Sequence, residues 1–358
     1  MLTSDAFVVK SRFIDYEVLF VSDFIVPLTQ YAVNDTIFIV DRKIFGLYKS
    51  QFESVLTDEK VILIDALETN KNIDYCQVII TRLIKSEIKR NYTIVAIGGG
   101  IIQDISAFIA SILYRGVIWV FFPTTLLSQA DSCIGSKTSI NMGEYKNLLG
   151  NFYPPSKIYI DIDFLETLSV EEIKSGIGEI LHFYFFAGSD LAEEMMNNYD
   201  EILETPSLLQ KYIVASLKIK REIIVIDEFD KNERNLFNYG HTFGHAIETL
   251  TRYEINHGQA VTMGMDIANY LSEKLGYMDR KTYDFMKIIL SKNIPELDIE
   301  KYDLEKYFYA LSRDKKNVEK YLVCILSQGP GKLVKKQIAF DNVLKEMITS
   351  YFSNTHCT

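Results

Sequence analysis

The first half of the chain alternates short β-branched runs with longer amphipathic stretches, and this alternation limits the possible folds more than any other feature. Strands are predicted at TIFIVD (36–41), KVILID (60–65) and TIVAI (93–97). Apolar residues at helical spacing predict helices over roughly 72–90 and 101–113. The continuous apolar run GVIWVFFP (116–123) suits a buried parallel strand. Strands alternating with helices predict βαβ units and an open α/β sheet.

From about residue 163 the pattern changes, because helical patterns dominate and strand-like runs become scarce. The long helical patterns are VEEIKSGIGEILHFYFF (170–186), SLLQKYIVASLKIKREIIVI (207–226) and HGQAVTMGMDIANYLSEKLG (257–276). A strand-like run, YLVCILS, stands near the C-terminus. We therefore expect an α/β domain over 1–157 and a helical domain over 158–358, divided after the loop NFYPPSK.

Composition excludes several classes of partner. The chain has 358 residues and a net charge of −10, which argues against nonspecific nucleic-acid binding because that requires a basic surface. A small anionic substrate is still possible, since a few local cations can outweigh the global charge. The N-terminus has no signal-peptide pattern and the apolar runs are far shorter than a membrane span. The four cysteines are scattered, which indicates reduced thiols in a cytoplasmic protein.

The histidines are the clearest sign of chemistry. The chain has five, and four lie in helical segments of the second half: His182, His241, His245 and His257. His241 and His245 share a helix face, but Thr242 stands where a zinc protease has its glutamate. Glu179 and His182 are spaced like half of a di-iron motif, which needs two copies. Two histidines and one carboxylate would suit a catalytic zinc. A histidine taken alone more often fills a structural role, but four of the five in one domain favour a site.

Gly98, Gly99 and Gly100 follow a predicted strand and precede a predicted helix. Such a turn suits a pyrophosphate, because glycines allow close backbone approach and the helix N-terminus offers free amides. The match to GxGxxG is incomplete because Gln103 takes the third position, and a tight strand-to-helix turn explains the glycines equally well. Asp41, at the end of an earlier strand, could hold an adenosine ribose or cap the next helix.

The stretch PTTLLSQADSCIGSKTSIN (123–141) is rich in serine and threonine although it follows a buried-looking strand. Buried polar groups need partners, and an ordered loop around a polar ligand would supply them. A solvated loop is the alternative.

Together these motifs resemble the 3-dehydroquinate synthase family of sugar-phosphate cyclases. The order and spacing agree over roughly 36–330 for GGG with Asp104, YRG, PTTLL, ADSCIGSKT, KNLLG, GEIL, NYGHTFGHAIE and HG. The resemblance implies a dehydroquinate synthase-like fold, in which a Rossmann-like N-terminal domain precedes an all-helical C-terminal domain. That fold is similar to the iron-containing alcohol dehydrogenases, and family members are commonly homodimers.

The resemblance also implies a set of site residues. Zinc, or cobalt in its place, would be bound by Glu179, His241 and His257, with His245 in the active site but not on the metal. Residues implied for NAD are Asp41, Glu68, Lys71, Gly99, Gly100, Asp104, Thr124, Thr125, Lys137, Lys146 and Thr167. Residues implied for the substrate are Asp131, Lys137, Asn147, Lys220, Arg234, Asn238 and Lys315 or Lys316. Arg115 resembles an arginine that reaches the phosphate in the neighbouring subunit.

The implied reaction converts 3-deoxy-arabino-heptulosonate 7-phosphate to 3-dehydroquinate and phosphate. NAD removes a hydride and later returns it, zinc acts as a Lewis acid, and cations hold the phosphate. One alternative is a cyclase for another sugar phosphate, such as sedoheptulose 7-phosphate. Another is a metal-dependent polyol dehydrogenase, which would not need Lys137, Lys220 and Arg234 together.

The sequence departs from the family pattern at four places. Gln103 replaces a glycine, Ser136 interrupts a GGK-like turn, and Gln259 ends an HGE-like segment. His182 replaces a lysine that faces the substrate, and we expect its imidazole to be mostly neutral at pH 7. This change bears most directly on which sugar phosphate is used.

Overall fold

The structure is a computed structural model that describes residues 5–32, 35–143, 145–188, 190–313 and 320–354. The chain divides into two compact units. The first unit comprises Met1–Ser169 and Thr205–Phe229. The second comprises Val170–Glu204 and Asp230–Thr358.

A seven-stranded sheet forms the centre of the first unit. Its strands are β1 (Phe7–Val9), β2 (Tyr16–Val21), β3 (Thr36–Asp41), β4 (Val61–Ile64), β5 (Thr93–Gly98), β6 (Ile118–Pro123) and β9 (Lys157–Asp161). Their order is β1-β2-β9-β6-β5-β3-β4, and every neighbouring pair is parallel except β1 and β2. The predicted open α/β sheet is confirmed, and β1, β2 and β9 extend it on one side.

Apolar strand residues explain why this sheet is buried. Ile37, Phe38, Ile39 and Val40 are each no more than 3% exposed, as expected for a parallel strand covered on both faces. The helices of this unit are α1 (Ile25–Ala32), α2 (Arg42–Leu47), α3 (Lys49–Glu53), α4 (Ile73–Lys85), α5 (Gly100–Ile112) and α9 (Gln210–Ile226). The predicted helices at 72–90 and 101–113 correspond to α4 and α5.

Helix α9 belongs to the first unit, although its sequence resembles the helical half. Ser216 Oγ donates a 2.9 Å hydrogen bond to the carbonyl oxygen of Ala130. Lys220 Nζ donates to the carbonyl oxygen of Asp131 at 2.7 Å. These bonds join α9 to a π-helical turn at Ser128–Ser132, within the stretch that was expected to be either a ligand loop or a solvated loop.

After this turn a small hairpin forms from β7 (Ile140–Met142) and β8 (Tyr145–Leu149).

Over its described residues, the second unit is helical apart from one hairpin. Its helices are α6 (Val170–Ala187), α7 (Leu191–Asn197), α8 (Tyr199–Glu204), α10 (His241–Leu250), α11 (His257–Lys274), α12 (Arg280–Ser291), α13 (Leu304–Ser312) and α14 (Asn342–Asn354). The hairpin pairs β10 (Tyr321–Ser327) with β11 (Leu333–Ala339), so the strand-like run YLVCILS is a strand. In the part of the chain that the structure describes, no helix combines the length and apolar character needed to span a membrane.

Candidate functional site

Three helices of the second unit bring one carboxylate and two imidazoles together. Glu179 lies within α6, and His241 and His257 are the first residues of α10 and α11. Oε1 of Glu179 lies 3.5 Å from Nε2 of His241 and 3.2 Å from Nε2 of His257. This oxygen is buried, and among the described residues no donor forms a hydrogen bond with it. A divalent cation would satisfy it, and this donor set is typical of zinc.

Glycines next to these residues allow the helices to approach so closely. A Cβ atom on Gly178 would lie 2.0 Å from the carbonyl oxygen of Gly258, so the backbones of α6 and α11 are in contact there. Gly240 has a φ of 79°, a conformation that glycine adopts without strain, and it directly precedes His241. The positions of the three candidate ligands are therefore fixed by the backbone as well as by their side chains.

The other ring nitrogen of each histidine also contacts an acceptor. Nδ1 of His257 lies 3.1 Å from Oε2 of Glu248, and Nδ1 of His241 lies 3.2 Å from the carbonyl oxygen of Tyr239. Such acceptors favour the tautomer with hydrogen on Nδ1, which leaves the Nε2 lone pair available to a metal. Burial lowers the pKa of His257, but the carboxylates of Glu179 and Glu248 outweigh this and raise it to about 10. The surroundings therefore favour a cation.

Glu248 was not predicted from the sequence as a functional residue. It lies seven residues after His241, which is about two turns along the same face of α10. That spacing is the signal that could have identified it, because a carboxylate at this position reaches the same side of the helix as His241, a candidate metal ligand. A second possible ligand set, His245 with Glu248 and His257, shares His257 with the first.

His245 and His182 surround the predicted metal ligands. The ring of His245 is 5.5 Å from that of His241 and 5.6 Å from that of His257, measured between centroids. The ring of His182 is fully buried, 5.3 Å from the ring of His241 and 5.7 Å from that of Phe237. The structure thus places His182 in an aromatic environment beside a predicted metal ligand.

The predicted substrate residues of this unit have different outcomes. Arg234 is buried in the turn Glu233–Asn238, and Asn238 Nδ2 donates to the carbonyl oxygen of Asn235 at 2.9 Å. Lys315 and Lys316 lie outside the described residues.

In the first unit, the three glycines form the turn between β5 and α5. A Cβ atom on Gly98 would lie 2.3 Å from Cγ1 of Ile102, and one on Gly99 would lie 2.9 Å from Cγ2 of Thr125. Packing therefore requires the first two glycines. At Gly100 a Cβ atom would lie 3.9 Å from its nearest neighbour, an ordinary contact, so packing does not require this glycine, whose backbone amide is among the first of α5. These amides have no partner within the helix and suit an anion.

Hydrogen bonds from neighbouring residues hold the turn between β5 and α5 in place. Thr124 donates its backbone N–H to the carbonyl oxygen of Gly98 at 3.0 Å. Oγ1 of Thr124 is buried and has no hydrogen-bond partner among the described residues, so a polar ligand would satisfy it. Thr125 and Ser128 are joined through their hydroxyl groups at 2.8 Å. Gln103 Nε2 donates to the carbonyl oxygen of Ser132 at 2.6 Å, so this departure from the glycine pattern braces the turn.

Predicted NAD and substrate residues meet in one polar network. Lys71 Nζ donates to Asp104 Oδ2 at 3.1 Å and to Asn147 Oδ1 at 2.7 Å. Asn141 Nδ2 donates to Oε1 of Glu68 at 2.8 Å. Burial raises the pKa of Asp104 to about 6, although Lys71 lowers it. Asn141 was not predicted as a site residue, and its place in the hairpin β7–β8 explains why it reaches this network.

The remaining predicted residues of this unit have local roles or are exposed. Asp41 caps α2, because Oδ1 accepts a 2.9 Å hydrogen bond from the backbone N–H of Lys43. Lys220 Nζ donates to Oδ1 of Asp131 at 2.8 Å. Thr167 Oγ1 donates to the carbonyl oxygen of Phe164 at 3.1 Å. Three cations are exposed: Arg115, Lys137 and Lys146.

Comparison with known proteins identifies the family. A model of the 3-dehydroquinate synthase N-terminal region matches residues 61–175, and a model of its C-terminal region matches residues 176–317. The 3-dehydroquinate synthase of Clostridium tetani is 34% identical over 317 residues, which cover 87% of this chain and 84% of that protein. The chain belongs to the 3-dehydroquinate synthase family. The enzyme of the same name from Thermoanaerobacter sp. is 35% identical over 318 residues, or 87% and 89% of the two chains. The resemblance drawn from the motifs is confirmed, and the chain is an enzyme.

Solved structures show the fold of the family. A 2-deoxy-scyllo-inosose synthase complexed with carbaglucose-6-phosphate, NAD⁺ and Co²⁺ has a TM-score of 0.85 at 23% identity, covering 96% of this chain and 98% of that one. ValA, a 2-epi-5-epi-valiolone synthase from Streptomyces hygroscopicus with NAD⁺ and Zn²⁺ bound, has a TM-score of 0.83 at 22% identity, covering 98% and 100%. An iron-containing alcohol dehydrogenase has a TM-score of 0.60 at 16% identity, covering 94% and 96%. The dehydroquinate synthase-like fold is confirmed.

Proposed function

We propose that the chain is a 3-dehydroquinate synthase, which converts 3-deoxy-arabino-heptulosonate 7-phosphate to 3-dehydroquinate and phosphate with catalytic NAD and a divalent metal. The observation that carries this proposal is that Nε2 of His241 and Nε2 of His257 both lie within 3.5 Å of one buried carboxylate oxygen, Oε1 of Glu179. This oxygen has no hydrogen-bond partner among the described residues. The name shared by relatives 34–35% identical over most of their length supports the choice of reaction. That reaction would place the chain in the shikimate pathway.

The metal would be Zn²⁺ or Co²⁺, held by Glu179, His241 and His257. When bound, it supplies Lewis acidity at a substrate oxygen. Glu248 and the carbonyl oxygen of Tyr239 would hold the two imidazoles in the metal-binding tautomer, as their 3.1 Å and 3.2 Å contacts indicate.

NAD would bind along the carboxyl ends of the first unit's strands. The amides that begin α5 and the Oγ1 of Thr124 would bind the pyrophosphate region, and Asp41 would contact the adenosine side. When bound, NAD accepts a hydride and later returns it. Further proposed NAD contacts are Glu68, Lys71, Gly99, Gly100, Asp104, Thr125, Lys137, Lys146 and Thr167.

The substrate carries a phosphate and a carboxylate, so cations must bind it. Lys137, Lys220 and Arg234 are proposed for this role, together with Lys315 or Lys316. The Asp131 carboxylate, 2.8 Å from Lys220, would orient that ammonium group. Asn147, Asn238 and His245 are proposed as further substrate contacts.

A homodimer is proposed because of the exposed position of the Arg115 side chain. Tyr114 and Arg115 both have left-handed backbones, with φ of 50° and 64°, and both side chains are exposed. Ile118, which begins β6 close by, is 55% exposed. An exposed arginine among apolar side chains suits a protein interface, and Arg115 would there reach the partner's phosphate site. A cytoplasmic location is proposed because two buried cysteines, Cys76 and Cys133, are free thiols.

A second candidate function has one observation in its favour. His182 is fully buried in an aromatic environment, where the family pattern has a lysine. Without that cation the pocket would suit a sugar phosphate that lacks a carboxylate, such as sedoheptulose 7-phosphate.

A substrate panel separates the two functions. The protein is supplied with zinc, trace NAD⁺ and one sugar phosphate at a time, and phosphate release is measured. We expect turnover of the heptulosonate phosphate. Robust turnover of sedoheptulose 7-phosphate, with none of the heptulosonate phosphate, would replace the first candidate by the second.

A further inference from the structure

Ser136 lies in the loop that carries Lys137, and its backbone is unusual. Its φ is 66°, in the left-handed region that non-glycine residues adopt only when their surroundings hold them there. The residue is nearly buried, and its Oγ donates a 2.7 Å hydrogen bond to Oε1 of Glu228. The strained turn is therefore tied to a carboxylate that lies just after α9.

The same carboxylate binds a segment near the N-terminus, residues 10–16, which we call the N-terminal arm. Ser11 Oγ donates to Oε1 of Glu228 at 2.7 Å, and the backbone N–H of Arg12 donates to Oε2 at 2.7 Å. Glu228 is 6% exposed. A buried carboxylate that accepts three short hydrogen bonds forms a strong connection, because bonds to an ionised acceptor exceed those between neutral groups.

A second set of contacts joins the arm to the same loop. The backbone N–H of Gly135 donates to the hydroxyl of Tyr16, a fully buried residue, at 2.9 Å. The ring of Phe229 packs edge-on against Phe13 and Phe152, with centroids 6.0 Å and 5.0 Å away. The arm thus holds Gly135 directly, and it holds Ser136 through the carboxylate of Glu228.

Lys137 directly follows Ser136 in this loop. Ser136 and Thr138, its two neighbours, are buried, whereas Lys137 is exposed. A long, flexible side chain on a fixed backbone loses less freedom on binding than one on a mobile loop. A shift of the backbone at Ser136 would therefore redirect the ammonium group.

We propose that Glu228, together with the N-terminal arm, is a positioning residue that holds Lys137 in the orientation for binding the substrate phosphate or carboxylate. The inference rests on the proposed function only for the role of Lys137. The family models begin at residue 61, so the arm lies outside the matched residues and its role comes from this chain's own contacts.

Hydrogen exchange tests the structural part without any substrate. Glu228→Ala and Ser136→Ala are compared with wild type, and Glu222→Ala, which removes an exposed carboxylate from α9, is the matched control. Exchange in peptides covering 11–16 and 134–138 should rise about tenfold in both variants, while β5 and β6 remain unchanged. Unchanged exchange in these two segments would overturn the proposal.

A double-mutant cycle tests the functional part, with phosphate release from the sugar phosphate as the assay. Glu228→Ala should raise KM about tenfold in the wild-type background but less than about twofold in a Lys137→Ala background, because the residue through which it acts is already absent. Glu228→Gln keeps an acceptor for Ser136 and should recover most of the loss. Ser136→Ala repeats the cycle if Glu228→Ala does not fold.

The outcomes separate this proposal from the proposed function. If wild type releases no phosphate from any sugar phosphate, the proposed function fails, and the exchange experiment alone decides whether Glu228 fixes the loop. If wild type is active and Glu228→Ala raises KM by the same factor in both backgrounds, Glu228 does not act through Lys137 and the positioning role is wrong.

Discussion

Oε2 of Glu248 lies 3.1 Å from Nδ1 of His257, and Oε1 of Glu179 lies 3.2 Å from Nε2 of the same ring. One imidazole therefore lies between two carboxylates. Without a metal this arrangement would favour a proton on the ring, and with a metal it orients the ring and increases its basicity. Glu248 would therefore belong to the proposed metal centre, although it is not a predicted ligand.

Glu248→Gln should weaken metal binding by roughly 10- to 100-fold, because outer carboxylates of this kind contribute that much to affinity. Competition with a chelator, read by elemental analysis, measures the change. Glu254→Gln is the control, since Glu254 lies on the same unit and accepts only an exposed hydrogen bond from Tyr302 among the contacts described. Equal metal affinity in Glu248→Gln and wild type would remove Glu248 from the centre.

Asp266 should make the protein less stable as pH rises. Burial raises the pKa of this carboxyl to about 6, although a hydrogen bond from Tyr351 at 2.8 Å lowers it. The folded state therefore holds a proton that the unfolded state releases near pH 4, and stability falls between about pH 4 and pH 6.

Asp266→Asn removes this titration while keeping an acceptor for Tyr351. The free energy of unfolding of the variant minus that of wild type should be about 2 kcal/mol larger at pH 7 than at pH 4, given a pKa shift of this size. Denaturant unfolding at both pH values measures it. Asp104 and Asp161, whose pKa values burial also raises to about 6, titrate in both proteins and cancel in the comparison. A difference that does not change with pH would contradict the prediction.

Arg115 should act in the partner's site. Each of two variants, Arg115→Ala and His257→Ala, should be inactive alone. A purified mixed dimer should recover about half the wild-type activity, because symmetry leaves one site with both an intact metal centre and the partner's arginine. Differently tagged chains allow the mixed dimer to be isolated. No recovery in verified mixed dimers would show that the site is not shared.

His182→Lys should keep or raise turnover of the heptulosonate phosphate, because it restores a cation for an anionic substrate. A charge-assisted hydrogen bond exceeds a neutral one by roughly 1–2 kcal/mol, or about tenfold in kcat/KM. His182→Gln, which is neutral, is the matched control. A wild type that ignores the heptulosonate phosphate, together with a lysine variant that loses turnover of sedoheptulose 7-phosphate with its fold and metal intact, would favour a carboxylate-free substrate.

The local sequence pattern was sufficient to predict an element whose structure depends mainly on its own residues. TIFIVD became β3 over the same residues, 36–41, because a run of β-branched and aromatic side chains suits a strand buried on both faces. Strand β2 was not predicted, because it is ordered by pairing with β9, more than a hundred residues away. A single sequence contains no signal for such a pairing.

The site was predictable where a residue type limits the chemistry. Glu179, His241 and His257 followed from the family motifs, and the structure brings them together. Glu248 and Glu228 were not predicted, because a glutamate in a helix or after one is usually solvated, and only folding shows which carboxylates become buried. The backbone contact between Gly178 and Gly258 could not be inferred from either helix alone.

The most direct test of a cyclase that uses NAD catalytically measures phosphate and NADH in one reaction. The protein is supplied with Zn²⁺, the heptulosonate phosphate and much less NAD⁺ than substrate. We predict that many molecules of phosphate are released per NAD⁺, with no lasting NADH absorbance, because the hydride returns within each turnover. NADH that accumulates in step with product, or phosphate release that never exceeds the NAD⁺ supplied, would contradict it.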